Sequence, residues 1–191
     1  MPIDFSFRKK AARTLTNKVG VYVLCDLDQV PIYVGRSLDG IRSRVNRHLT
    51  SARSDIVANR QIDVWEIAWV WAYPCSKAAT RELEGRLYYY WNKKHTLMNG
   101  TPLPLPKGRA VVPKPAQIVQ VMSDAEIKEK TDPTLRLPRQ AERYAEIVNH
   151  FVAVKNSRQV ARAMNAHFAR LAKYHAMLIG SASGEEKDAE S

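Results

Sequence analysis

Residues 19–36 read Val-Gly-Val-Tyr-Val-Leu-Cys-Asp-Leu-Asp-Gln-Val-Pro-Ile-Tyr-Val-Gly-Arg. Two runs rich in branched and aromatic residues, Val19 to Leu24 and Pro31 to Val34, flank the polar turn Asp26-Leu27-Asp28-Gln29. That pattern predicts a β-hairpin. From 39 to 50, Ile41, Val45 and Leu49 recur every four residues, with Arg42, Arg44 and Arg47 between them. This spacing predicts a basic amphipathic helix.

Working outward, Val64 to Ala72 reads as a third strand. Trp65, Ile67, Trp69 and Trp71 fall on one face, and Val64, Glu66, Ala68 and Val70 on the other. Pro74 ends it. The tryptophans are expected to fill the core; the competing reading is that they stack on single-stranded bases. A second helix is expected from Ser76 or Lys77 to about His95, with Leu83, Leu87, Tyr90 and Trp91 along its apolar stripe, closed by Asn99-Gly100.

These segments carry five features in a fixed order. Gly20-Val21-Tyr22 lies in the first strand and Tyr33-Val34-Gly35 in the second, with ten residues between the triplets. The basic helix holds Arg44-Val45-Asn46-Arg47-His48, the next helix holds Arg81-Glu82-Leu83-Glu84-Gly85-Arg86-Leu87, and Asn99 follows it. In this order and spacing, residues 17 to 100 resemble the GIY-YIG nuclease family. Either triplet alone is a weak signal; the ensemble is strong. Valine stands where the family motif has isoleucine in both triplets, a conservative exchange of branched residues. Gly40 looks like one extra residue at the helix start, which leaves Arg42 and Arg44 competing for the arginine position. Arg44 is chosen because its four-residue offset to His48 puts both on one helix face. Glu82 competes with Glu84 in the same way.

The resemblance implies an α+β fold with a small three-stranded antiparallel sheet flanked by helices. It implies hydrolysis of DNA phosphodiesters with a divalent metal, Mg²⁺ with Mn²⁺ as a substitute. Tyr22 would be the general base, Tyr33 would orient the water, Arg44 would bind phosphate, and His48 would relay a proton or contact phosphate. Glu84 would hold the metal. Arg36, Arg42, Arg47 and Asn99 would contact DNA.

The chemistry agrees with these roles. In-line attack of water on a phosphodiester builds negative charge on the phosphoryl oxygens. One carboxylate can hold Mg²⁺, because that ion keeps much of its hydration. An arginine can grip a phosphate through two parallel bonds. An unperturbed phenol has a pKa of about 10, so Tyr22 needs cations or hydrogen bonds to act as a base. Two other readings stand beside a nuclease: a DNA-binding module of the same fold without catalysis, and a toxin or effector DNase.

The chain has 191 residues, of which 45 % are hydrophobic and 26 % charged, an ordinary globular composition. Its charge is not ordinary: thirty Lys+Arg stand against nineteen Asp+Glu, a net +11. A polyanion such as DNA is the expected partner. Two cysteines, Cys25 and Cys75, make neither a disulfide framework nor a zinc motif. With no secretory signal and no long apolar run, the expected location is the cytoplasm, near the nucleoid. A cut in both strands by one site per chain would need a homodimer or two binding events.

Four segments are expected. Residues 1–100 form the nuclease-like domain, and 101–138 a Pro-rich connector with a short helix at Ser123 to Lys130. Residues 139–180 form a helical accessory region, and 181–191 a disordered acidic tail. Between Arg139 and Leu178, seven Lys+Arg face two acids. That region reads either as packing helices or as a DNA-contacting appendage, continuous or broken at Asn165.

Overall fold

The computed structural model describes residues 4–50, 55–58, 60–103, 105–106 and 111–189. Pro104 and residues 107–110 of the Pro-rich stretch, and the last two residues of the acidic tail, lie outside them.

Helix α1 (Phe5–Thr14) was not anticipated by the sequence reading. Asp4 caps it, accepting from the Phe7 amide at 2.9 Å. The hairpin follows as β1 (Gly20–Cys25) and β2 (Pro31–Ser37), antiparallel. Asp26 shapes the turn: its Oδ1 accepts from the amides of Asp28 at 2.9 Å and Val30 at 2.8 Å. The basic helix is α2 (Ile41–Thr50), and a single turn, α3, spans Asp55–Ala58.

The third strand starts later than expected. Val64–Glu66 is a 3₁₀ turn capped by Asp63, and β3 runs Trp69–Pro74. A cap at Asp63 satisfies the Trp65 amide inside a turn, so Trp65 leaves the strand face and is 41 % exposed. Trp69 and Trp71 keep the expected role and pack with the core under α4 (Thr80–Asn92), where Trp71 meets Trp91 edge-on at 5.4 Å.

The sheet has four strands, not three. β4 (Gln117–Gln120) comes from the segment expected to be only a connector, and the order is β2-β1-β3-β4, antiparallel throughout. The prolines end before it, and an edge strand needs only one paired side, so the short polar-flanked Ile118-Val119 pair suffices. One face of the sheet carries Tyr22, Leu24, Val70 and Ala72 against Leu15, Ile41, Val45 and Leu49 of the α1–α2 side. The other carries Val21, Val23, Val34 and Tyr73 against Leu87 and Tyr88 of α4. This alternation is the period-2 pattern of a strand buried on both sides.

Helix α5 (Asp124–Thr131) has Ser123 as its N-cap, as the sequence predicts. Helix α6 (Pro133–Ala153) begins earlier than Arg139 and runs through Pro138. Asp132 caps it and Pro133 fills the first helical position, where a missing N–H costs nothing. Helix α7 (Arg158–Ala189) is continuous through Asn165, with Ser157 at its N-cap, and α6 and α7 pack on each other through Ile147, Val160 and Ala163. Its backbone continues through the acidic segment to Ala189, where the composition pointed to disorder; no proline interrupts that stretch.

Ion pairs anchor these helices on the sheet domain. Arg136 reaches Asp28 at 2.8 Å, Glu66 at 2.8 Å and the Tyr174 hydroxyl at 2.7 Å. Arg139 meets the other Glu66 oxygen at 2.5 Å, and Arg170 binds Asp26 and Tyr174. Asp26, Glu66, Arg136 and Tyr174 are all buried. At the opposite end of the chain, buried Arg8 of α1 donates to the Val64 and Ile67 carbonyls, each at 3.0 Å. No helix among the described residues is long and apolar enough to cross a membrane.

Candidate active site

The hairpin register decides how the two tyrosines meet. Tyr22 pairs with Gly35 and Tyr33 with Leu24, so the tyrosines are diagonal neighbours on one face, with ring centroids 6.3 Å apart. The Tyr22 ring lies over Gly35. A Cβ at residue 35 would stand 2.5 Å from the Tyr22 hydroxyl and 2.8 Å from the Tyr33 ring, so only glycine fits there.

Helix α2 covers this face and brings two side chains to the phenol. His48 Nε2 lies 2.7 Å from Tyr22 Oη, and the His48 ring is tilted against the Tyr22 ring at 5.7 Å and edge-on to the Tyr33 ring at 6.2 Å. Arg44, one turn earlier on the same face, also hydrogen-bonds the Tyr22 hydroxyl. The start of α2 is held by the α1–β1 link: the Ile41 and Arg42 amides donate to the Lys18 and Thr16 carbonyls at 3.0 and 3.1 Å. Gly40 makes that junction possible, since its φ is +112° and a Cβ would meet Asn17 O at 2.5 Å. The extra residue at the helix start is thus a turn that the link requires, and the Arg44–His48 offset survives it.

Burial raises the Tyr22 phenol pKa well above its ordinary value. The neighbouring Tyr33 and the Glu84 carboxylate add to the rise, and Arg44 opposes it. The phenol is therefore neutral at pH 7 and carries a proton to give or exchange.

Glu84 comes from α4, on the other face of the sheet. Its carboxylate is 3.2 Å from Arg36 Nε of β2, and its side chain is only 11 % exposed. Burial raises its pKa, against the pull of Arg36 and Arg81. Glu82 points to solvent and pairs with Arg86 one turn on, which separates the two glutamates. Among the described residues no group of three or more acid, His or Cys side chains could hold a metal. The local donor set is one carboxylate, and one carboxylate fits a Mg²⁺ that keeps much of its hydration.

Residues 18–98 match the family model of the GIY-YIG catalytic domain. The GIY-YIG match implies a nuclease-type activity for this segment. It starts after α1 and ends before β4, α5, α6 and α7. No curated protein and no solved structure matches the chain.

Within the GIY-YIG segment the structure brings Tyr22, Tyr33, Arg44 and His48 together, with Glu84 and Arg36 paired close enough for Glu84 to act on Tyr22. Arg47 is exposed on α2. Arg42 turns away from the tyrosines toward α1, its Nε donating to Leu15 O at 2.6 Å. Asn99 is 7 % exposed and clasps the β2 backbone, donating to Val34 O at 2.7 Å and accepting from Val34 N at 3.1 Å. Both ends of its amide are occupied by main chain, so it positions the strand beside Tyr33. The Arg36–Glu84 pair was not foreseen, although both residues were singled out, because strand and helix meet only in the fold.

Proposed function

We propose that this chain is a metal-dependent DNA endonuclease that hydrolyses phosphodiester bonds at Tyr22, Tyr33, Arg44, His48 and Glu84. The observation that carries the reading is the Tyr22 hydroxyl held between His48 Nε2 at 2.7 Å and Arg44. A neutral phenol bonded to an imidazole nitrogen is a proton relay. As the attacking water loses its proton to Tyr22 Oη, Tyr22 passes its own to His48 Nε2. Charge does not build up on the buried phenol, which answers the high pKa that burial imposes. Tyr33 borders the same space and orients the water. Arg44, aimed at the hydroxyl, lies where the phosphoryl oxygens gain charge. Glu84 would hold Mg²⁺ or Mn²⁺, with Arg36 neutralising the carboxylate otherwise. A divalent ion there would stabilise charge on the phosphoryl and leaving oxygens.

The test is a cleavage panel of labelled duplex, branched, flap and single-stranded DNA with Mg²⁺, Mn²⁺ or EDTA. Cleavage is expected only with metal, and Glu84→Ala and Tyr22→Phe are expected to abolish it while circular dichroism stays unchanged. Full activity in Glu84→Ala would sink the site assignment. Salt-dependent DNA binding without cutting under any metal would favour a non-catalytic DNA-binding module.

A further inference from the structure

Outside the tyrosine site, α1 and α2 enclose a cleft of about 280 Å³ lined by Lys9, Ala12, Arg13, Arg42, Ser43 and Asn46. Three of these are cations, and all three are exposed. None pairs with a carboxylate among the described residues. The Arg42 Nε bond to Leu15 O fixes that side chain along the cleft wall and leaves its two terminal nitrogens for a ligand. The Asn46 amide adds a neutral donor beside the cations, while the Ser43 hydroxyl donates to Asn17 Oδ1 at 3.1 Å. Donors and uncompensated cations on two helix faces suit a phosphate diester.

The cleft is connected to the tyrosine site by α2 itself. At about 100° per residue, Arg47 sits roughly 140° and Arg44 roughly 200° around the helix from Arg42. Exposed Arg47 therefore bridges the cleft and the Arg44 face. An α-helix with side chains is about 10–12 Å across, which matches the rise of about three base pairs at 3.4 Å each along the axis of a duplex.

We propose that the α1–α2 cleft is a phosphate-binding subsite for the nucleic-acid backbone about three nucleotides from the bond at Tyr22, with Lys9 and Arg13 of α1 as its added contacts. The proposal rests on the nuclease reading for the identity of the ligand. It assigns function to α1, which lies outside the matched segment.

Binding is measured by fluorescence anisotropy of a labelled duplex across 50 to 200 mM salt. All proteins carry Glu84→Ala, so binding is read without turnover, even if the chain cuts nothing. Lys9→Ala/Arg13→Ala removes two contacts. Its log-affinity against log-salt slope is expected to shrink by about 1.8, so the affinity lost across that salt range falls by about tenfold. Lys9→Gln/Arg13→Gln is expected to repeat the change, with circular dichroism confirming the fold of both. The comparison pair is Arg158→Ala/Arg162→Ala, two exposed cations at the start of α7, expected to leave the slope unchanged. An unchanged slope in the Lys9/Arg13 variants, equal losses in both pairs, or no duplex binding at all would overturn the proposal.

Discussion

The arginines of α2 and those of α6 and α7 carry the same charge in opposite surroundings. On α2, Arg42 and Arg47 are exposed and no carboxylate among the described residues pairs with them. On the C-terminal helices, Arg136, Arg139 and Arg170 close on Asp26, Asp28 and Glu66, and Arg143 pairs with Glu146 at 2.7 Å. One set keeps its charge available to a polyanion; the other neutralises it inside the molecule. A net +11 does not distinguish them, because charge counts ignore partners. The sequence leaves the C-terminal basic residues open between packing helices and a DNA-contacting appendage, and much of their charge holds the helices to the sheet.

Removing Glu66 is the strongest way to break this contrast. Glu66→Ala leaves Arg136 and Arg139 without their shared carboxylate, and a loss of about 3–5 kcal/mol in urea unfolding is expected. Arg44→Ala should do the reverse. It is expected to lower cleavage by about 10²–10³-fold, about 3–4 kcal/mol of barrier, while moving the urea midpoint little. If Arg44→Ala unfolds the protein and Glu66→Ala does not, the two regions have been assigned the wrong way round.

Histidine 167 sharpens the structural side. It is 2 % exposed on α7, with Nε2 at 3.1 Å from the Gln61 carbonyl. Burial, with Arg143 and Arg170 nearby, pushes its pKa down to about 4, although the Gln61 bond and Glu66 pull upward. The unfolded chain binds this proton near its ordinary value of about 6.5, and the native state does not. Stability is therefore full above about 6.5 and falls as pH drops toward about 4, by on the order of 3 kcal/mol. Urea melts at pH 7 and pH 4.5 should show the fall, and His167→Leu should flatten it. The smallest expected effect is Arg47→Ala, which should reduce the salt slope of duplex binding by about 0.9 and leave the urea midpoint in place.

The candidate site residues were legible in the sequence before the fold was. Tyr22, Tyr33, Arg44, His48 and Glu84 stand in a spacing that a strand pair and two helices impose, and period-2 and four-residue patterns are local properties of the chain. Helix α1 was missed although Asp4 with the Phe7 amide is a cap signal, because its apolar face is interrupted by Arg8, which is buried through backbone carbonyls. β4 was missed because two apolar residues between glutamines are too short a period to separate from loop. Asn99 was assigned to DNA because an exposed and a clasped amide look alike in sequence.

By itself the sequence determined the hairpin, the basic helix, the order of the candidate site residues and the caps at Ser123 and Ser157. These depend on neighbours within a turn or a strand pair. Only the tertiary structure decided which cations face solvent, which glutamate of α4 turns toward Arg36, and that the tyrosines meet diagonally over Gly35. The physical reason is separation along the chain. Asp26 and Arg170 are 144 residues apart and Glu66 and Arg136 are 70, so no local pattern encodes their pairing. Their burial follows from helices packing on the sheet, and it makes that part of the basic charge an internal clamp.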